Sequence, residues 1–185
     1  LMLLPVSIGI GIGSIVTGRF VTRSGRTMIF PSVGLIGATA FLLVFSLFGA
    51  AMTMTGLMAA LSLASVFMGT VMSVVQVTVQ SAAGRRALGA AAGSVQFSRT
   101  VGAAFGTALL GSVLFATLSL SDPEAPALFA RLVDTGASAL AGLSPERRAA
   151  LLGTIVFAFQ MSFTLTAIFT GIGVILAWTN PSRRI

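Results

Sequence analysis

Five stretches of this sequence are long, apolar and free of charged residues. About 20 residues at 1.5 Å each cross the ~30 Å hydrocarbon core of a bilayer, so an uncharged run of that length is typical of a transmembrane helix. The chain is 56% hydrophobic and only 8% charged, too little polar surface for a soluble domain of 185 residues. The sequence therefore predicts an all-α integral membrane protein with five transmembrane helices, over residues 1–18, 28–49, 56–79, 100–120 and 151–178.

The acidic residues of the chain are confined to one segment, whereas arginines recur in several connections. Arginines occupy two connections, about 19–27 and 80–90, and the tail 179–185, whereas all four acidic residues fall in the segment 121–150. Basic connections stay on the cytoplasmic side of a membrane, so we expect those three regions to be cytoplasmic and the acidic segment to be external. The net charge of +7 then indicates anionic lipid headgroups as partners, not nucleic acid. The sequence predicts a single membrane domain, 1–185, with its C-terminus in the cytoplasm.

The external segment contains signals for ordered structure. Ser121-Asp-Pro-Glu predicts a helix start with Ser121 or Asp122 as the cap and Pro123 at the first helical position. Residues 144–146, Ser-Pro-Glu, repeat that signal and predict the start of the last helix. The first of these helices has an apolar face, which predicts that the helix lies on the outer leaflet. The residues of this face are Leu128, Phe129, Leu132 and Val133.

The residue types that carry most catalytic and metal chemistry are missing from the sequence. It contains no Cys, His, Lys or Tyr, which excludes a thiol nucleophile, a disulfide and a Cys/His metal site. It also has no serine-nucleophile elbow and no phosphate-binding glycine loop. We therefore expect a protein without enzymatic activity, metal or cofactor.

Four polar side chains within or beside the apolar runs are candidates for a substrate cavity. An arginine at mid-bilayer costs about 2.5–3.5 kcal/mol on insertion scales. Arg99 is therefore expected either to contact a partner helix or an anionic substrate group, or to lie at the inner interface as an anchor. Amide groups in lipid need partners, which predicts that Gln76, Gln96 and Gln160 face the bundle interior and bind substrate or a neighbouring helix.

Glycines at four-residue spacing are the candidates for helix packing. Gly9 and Gly13 lie in the first run, and Gly102 and Gly106 lie in the fourth. Such residues destabilise a helix in water, but in a membrane bundle they let two backbones approach closely.

The connection after the first run resembles the loop motif of the major facilitator superfamily. That motif runs Gly, three residues, Asp, Arg or Lys, one residue, Gly, then Arg, and joins two helices on the cytoplasmic side. The matching positions here are Gly18, Thr22, Arg23, Gly25 and Arg26, with Thr22 where the family has Asp. The resemblance implies a latch between helix ends that holds one conformation of a rocking transporter.

A second resemblance lies in segment 76–111, which is similar to the fourteen-helix drug:proton antiporter branch of that superfamily. It has Gln76 or Gln80 before a turn, Leu-Gly-x-Ala from Leu88, Phe-x-Arg ending at Arg99, and then a glycine-rich helix. The resemblance implies efflux of small amphipathic organic compounds or drugs in exchange for protons, by alternating access. It further implies a bacterial inner-membrane protein that binds a small organic substrate and packs against N-terminal helices missing from this C-terminal part.

Two alternatives remain open from the sequence. A major facilitator transporter of another solute would have the same pattern, and so would a free-standing membrane scaffold subunit. No Asp or Glu lies in any of the five runs, so the proton-carrying residue implied by the resemblance is expected upstream of this chain.

Overall fold

The computed structural model describes residues 4–24 and 29–179, and this part of the chain is helical with no strand. Short 3₁₀ turns connect some of the helices, at Gly49–Ala51, Arg85–Ala87 and Gly136–Leu140. The predicted all-α class is confirmed. The α-helices are α1 (Leu4–Ser24), α2 (Ile29–Phe48), α3 (Met54–Ala83), α4 (Leu88–Ser121), α5 (Ala125–Thr135) and α6 (Pro145–Thr179).

Four helical stretches are long and apolar enough to cross a membrane. They are Ser32–Ala51, Met54–Ala83, Arg85–Ser121 and Pro145–Thr179, and α1 contributes a shorter apolar stretch, Val6–Val21. The 20 residues of α2 are about 30 Å long, the thickness of a hydrocarbon core. These lengths are those of an all-α membrane protein.

The helices extend further into the basic connections than the sequence predicted. α4 begins at Leu88, well before the predicted start at residue 100, and α3 continues to Ala83. The turn between them is therefore short: Gly84, whose φ of 70° favours glycine, followed by one 3₁₀ turn. α1 likewise continues through Arg23 to Ser24. The predicted loop 19–27 is thus helical as far as residue 24, and its remainder lies outside the described residues.

α1 and α3 run parallel and touch through their backbones. A Cβ added to Gly9 would come within 2.5 Å of the Ser62 carbonyl oxygen, and one added to Gly13 would overlap the Val66 carbonyl. Gly69 makes the reciprocal contact with the backbone of α1, and the Ser14 hydroxyl donates to its carbonyl at 3.1 Å. Lipid provides no hydrophobic force between helices, so close packing and such hydrogen bonds hold this pair together.

α2 lies between α3 and α6. The ring of Phe67 on α3 covers Gly37 on α2. On the other side, the hydroxyls of Ser46 on α2 and Thr164 on α6 are 2.6 Å apart, beside a contact of Phe45 with Phe163. The order α1–α3–α2–α6 therefore places α6 away from α1, with α4 packed against both α3 and α6.

The end of the bundle that carries the acidic residues is built around a compact apolar core. We call this end of the bundle the acidic cap. It consists of α5, the turn Gly136–Leu140 and the adjoining ends of α4 and α6. Phe129 of α5 makes edge contacts with Phe115 of α4 and Phe159 of α6, with ring centroids 6.1 Å apart in both cases. The buried residues of this core are Leu118, Ala125, Leu151, Ile155 and Ala158.

The structure corrects one helix start in this segment and one helix face. α5 begins at Ala125, not at Pro123, because the Asp122 side chain accepts from the backbone N–H of Glu124 at 3.0 Å and closes a turn first. Leu128, Phe129 and Leu132 pack against the core, but Val133 is 69% exposed. The predicted start of the last helix at Pro145 agrees with the structure.

Arg147 is the electrostatic centre of the acidic cap. Its guanidinium contacts Asp122 at 2.8 Å and Glu124 at 2.8 Å, and so joins the start of α6 to the end of α4. The hydrogen bonds from Arg147 and from the Glu124 backbone hold the pKa of Asp122 below its ordinary value. Arg148 adds a bond of 2.8 Å to the Leu140 carbonyl.

The glycine contact between α1 and α3 predicts different outcomes for two alanine substitutions in one helix. Gly13→Ala forces the helices apart and should destabilise the protein by about 1–3 kcal/mol. Gly11→Ala is the matched control, because a Cβ there meets nothing within 4 Å. The measurement is the melting temperature of the full protein in detergent. Equal melting temperatures for the two variants would contradict this packing.

The Arg147 cluster predicts that Arg147→Gln loosens the acidic cap. Hydrogen exchange of segment 122–143 should rise several-fold, a moderate effect because Arg147 and Glu124 are partly exposed. Arg131→Gln, which removes an exposed charge from α5, is the control and should leave exchange unchanged. Similar exchange in the two variants would mean that the ion pairs do not hold the cap.

The lowered pKa of Asp122 predicts how the cap responds to pH. A carboxylate whose pKa is lowered in the folded state contributes its full stabilisation at pH values above its unfolded-state pKa of about 3.9. That contribution is lost as pH falls through the lower folded-state pKa. Hydrogen exchange of the cap, corrected for intrinsic rates, should therefore stay constant from pH 7 to about 5 and rise only in stronger acid. Loss of protection between pH 7 and 5 would exclude this carboxylate as the cause.

Candidate functional site

α4 carries a stripe of polar and small residues that the described part of the chain leaves uncovered. Gln96, Arg99, Gly102 and Gly106 recur every three or four residues and so share one helix face. A Cβ added to either glycine would meet nothing within 4 Å. We call these four residues the α4 stripe. A second helix or a ligand can approach the α4 backbone closely along it.

Arg99 reaches from this stripe to α3. Its Nη2 atom lies 3.4 Å from the sulfur of Met72, while the residue as a whole remains exposed. A thioether is a weak hydrogen-bond acceptor and carries no charge. Met72 therefore positions the guanidinium but does not neutralise it, and the positive charge stays available to an anionic group.

The depth of Arg99 follows from contacts between neighbouring helices. Gly37 of α2 packs against the ring of Phe67 on α3, and Gly34 packs against Val71. The start of α2 at Ile29 is therefore level with about residue 75 of α3. At 1.5 Å per residue, Met72 and the Arg99 guanidinium lie about 5 Å inside that level. This placement is nearer the edge of the hydrocarbon than its centre.

Gln76 lies close to this arginine. It follows Met72 by one helical turn on α3 and is half-buried. Thr78, two residues later, has a buried hydroxyl oxygen without a hydrogen-bond partner among the described residues. The structure thus brings three of the predicted cavity residues, Gln76, Gln96 and Arg99, to the facing stretches of α3 and α4.

Gln160 does not join this group. Its backbone carbonyl oxygen accepts hydrogen bonds from the hydroxyls of Ser46 at 3.2 Å and Thr164 at 2.8 Å, at the contact of α2 with α6. Ser46 lies about 14 residues along α2 from the level of Met72, so Gln160 is displaced from Arg99 by about 20 Å along the bundle. Sequence reasoning missed the Ser46–Thr164 pair, although a serine within an uncharged apolar run was a visible signal for it.

The loop-motif residues are only partly described. Gly18 lies in α1 next to open space, and Arg23 is exposed in the last turn of that helix. Thr22 is helical, whereas its side chain and residues Gly25 and Arg26 lie outside the described residues. The latch role of this motif therefore stays a prediction.

The functional groups around Arg99 are a guanidinium and two amides. All four acidic residues of the sequence lie between positions 122 and 146, and the sequence contains no histidine. The described residues contain no cluster of metal-ligating side chains. Arg99, Gln76 and Gln96 therefore offer charge and hydrogen bonds at this place, and their role in binding stays a prediction.

Comparisons with known proteins point to a transporter family. Proteins from two strains of Mycobacterium tuberculosis, each named an uncharacterized MFS-type transporter, are 37% identical to this chain over 111 residues. The matched stretch is 60% of this chain but only 16% of each relative. No family model matches the chain, and no solved structure matches it. The chain is thus similar to part of much longer MFS-type transporters.

Proposed function

We propose that this chain is the C-terminal membrane part of a major facilitator transporter that exports small amphipathic organic compounds in exchange for protons. The similarity to two MFS-type transporters supports transport across the membrane. The resemblance of segment 76–111 to drug:proton antiporters supports the substrate class and the coupling. In this proposal the protein lies in the bacterial inner membrane with its C-terminus in the cytoplasm, and the missing N-terminal helices form the opposite wall of the cavity.

The observation that carries the proposal is the uncovered α4 stripe with the guanidinium of Arg99, whose contact with the uncharged Met72 leaves its charge available to an anionic group. The glycines of the stripe leave room for a substrate, and Gln76 and Gln96 supply orienting hydrogen bonds beside the guanidinium. We infer that this stripe forms one wall of a central cavity that opens alternately to the two sides.

Dye efflux from cells that express the full-length protein tests the proposal. Energised cells should export an amphipathic dye that carries an anionic group, and an uncoupler should abolish the export. Arg99→Gln should slow export by about tenfold or more, since loss of a charge-assisted contact costs about 1.5–3 kcal/mol. Arg99→Lys should retain part of it. Arg86→Gln, which removes an exposed charge from the α3–α4 turn, is the control and should export normally.

Each outcome of the efflux assay separates the alternatives. Unchanged dye retention in energised cells would contradict drug export and favour a transporter of another solute. Normal export by Arg99→Gln, at equal amounts of protein in the membrane, would remove Arg99 from the pathway. The scaffold alternative predicts a stable native product near 18.9 kDa, which intact mass of the protein purified from its own membranes would detect.

A further inference from the structure

A cleft lies beside the turn between α3 and α4, at the end of the bundle opposite the acidic cap. Its volume is about 300 Å³. The apolar residues come from the helices, and the polar ones lie near the turn. The lining residues are Val77, Gln80, Ser81, Gly84, Arg85 and Leu88.

This cleft begins within the headgroup layer of a membrane and extends beyond it. Gly34 of α2 packs against Val71 of α3, so the start of α2 at Ile29 is level with about residue 75 of α3. At 1.5 Å per residue, Val77 lies about 3 Å and Gly84 about 14 Å beyond that level. A headgroup layer extends about 5–7 Å beyond the hydrocarbon on each side. The apolar Val77 thus lies near the edge of the hydrocarbon, and the backbone of Gly84 and Arg85 lies on the water side of the headgroups.

The chemistry of the lining changes along the same direction. Val77 and Leu88, each 43% exposed, form the apolar side of the cleft. Gln80, Ser81 and Arg85 offer an amide, a hydroxyl and a guanidinium on the other side. A guanidinium binds phosphate through two parallel hydrogen bonds, and the amide and hydroxyl supply further donors. A ligand that fits both sides has a phosphate group attached to an apolar body.

The charge distribution of the chain leaves this end without an anion of its own. Arg85 and Arg86 are both exposed, and every acidic residue of the sequence lies in the acidic cap or its turns, between positions 122 and 146. α4 begins here with no acidic residue in its first turn and no side-chain cap at Ala87. The positive end of its dipole therefore adds to the two arginine charges.

We propose that this cleft binds the phosphate group of an anionic membrane lipid. Arg85 contacts the phosphate, Gln80 and Ser81 donate hydrogen bonds to it, and an acyl chain lies along Val77 and Leu88. The apolar side of the cleft favours a lipid over free phosphate as the source of that group. Leu88 is eleven residues, about 16 Å, from Arg99, so the lipid site is separate from the α4 stripe and does not rest on the transport proposal.

Lipid titration of the purified full-length protein, followed by native mass spectrometry, tests this site. Phosphatidylglycerol should bind Arg85→Gln about tenfold more weakly than the unmodified protein. Arg86→Gln is the matched control, because it removes a neighbouring charge from the same turn but does not line the cleft. It should lose less than about threefold. Phosphatidylcholine, with no net charge, should bind all three proteins weakly.

Three results would overturn the proposal. Equal losses in Arg85→Gln and Arg86→Gln would mean that lipid senses only the general surface charge. Equal binding of phosphatidylcholine and phosphatidylglycerol would exclude recognition of an anionic headgroup. Displacement of phosphatidylglycerol by inorganic phosphate at millimolar concentration would identify free phosphate as the ligand. Because binding is measured without transport, none of these results depends on the efflux assay.

Discussion

The close approach of α1 and α3 is the contact on which the arrangement of the other helices depends. Backbone atoms touch at Gly9, Gly13 and Gly69, where any side chain would separate the helices. α3 then contacts α2 through Phe67 and α4 through Met72. Because lipid does not drive apolar surfaces together, the bundle is assembled from such small-residue contacts and a few hydrogen bonds between helices. α3 is its central helix.

The two ends of α4 are held in different ways, and this explains its uncovered middle. Near the basic turn, Ala91 and Val95 are buried, and near the acidic cap Leu118 is buried in an apolar core like that of a soluble protein. α6 extends about 25 Å beyond the level of Ser46, so this core forms outside the span of α2, where water makes apolar burial favourable. Between these anchors α4 presents the α4 stripe to whatever lies beside it.

The sequence predicted the features that lipid imposes directly. In a membrane every backbone polar group must be bonded within the helix, so uncharged runs predict helices with little ambiguity, and α2 and α6 match their runs closely. Features decided by contacts between distant residues were not predictable. The displacement of Gln160 from Arg99 depends on Ser46, which is 114 residues away in sequence. The turn at Asp122 that delays α5 is local, but the same residues also fit the pattern of a helix cap, so the sequence did not distinguish the two.

The position of the carboxylates constrains the proton-coupled export proposed above. All of them lie in the acidic cap, where Arg147 lowers the pKa of Asp122. Arg99, in contrast, lies far from the cap beside an uncharged thioether. In the proposed mechanism a proton-carrying carboxylate therefore comes from helices outside this chain, and Arg99 would favour its ionised form on approach. Movement of that carboxylate toward or away from Arg99 would therefore change its affinity for a proton, which is the requirement for coupling.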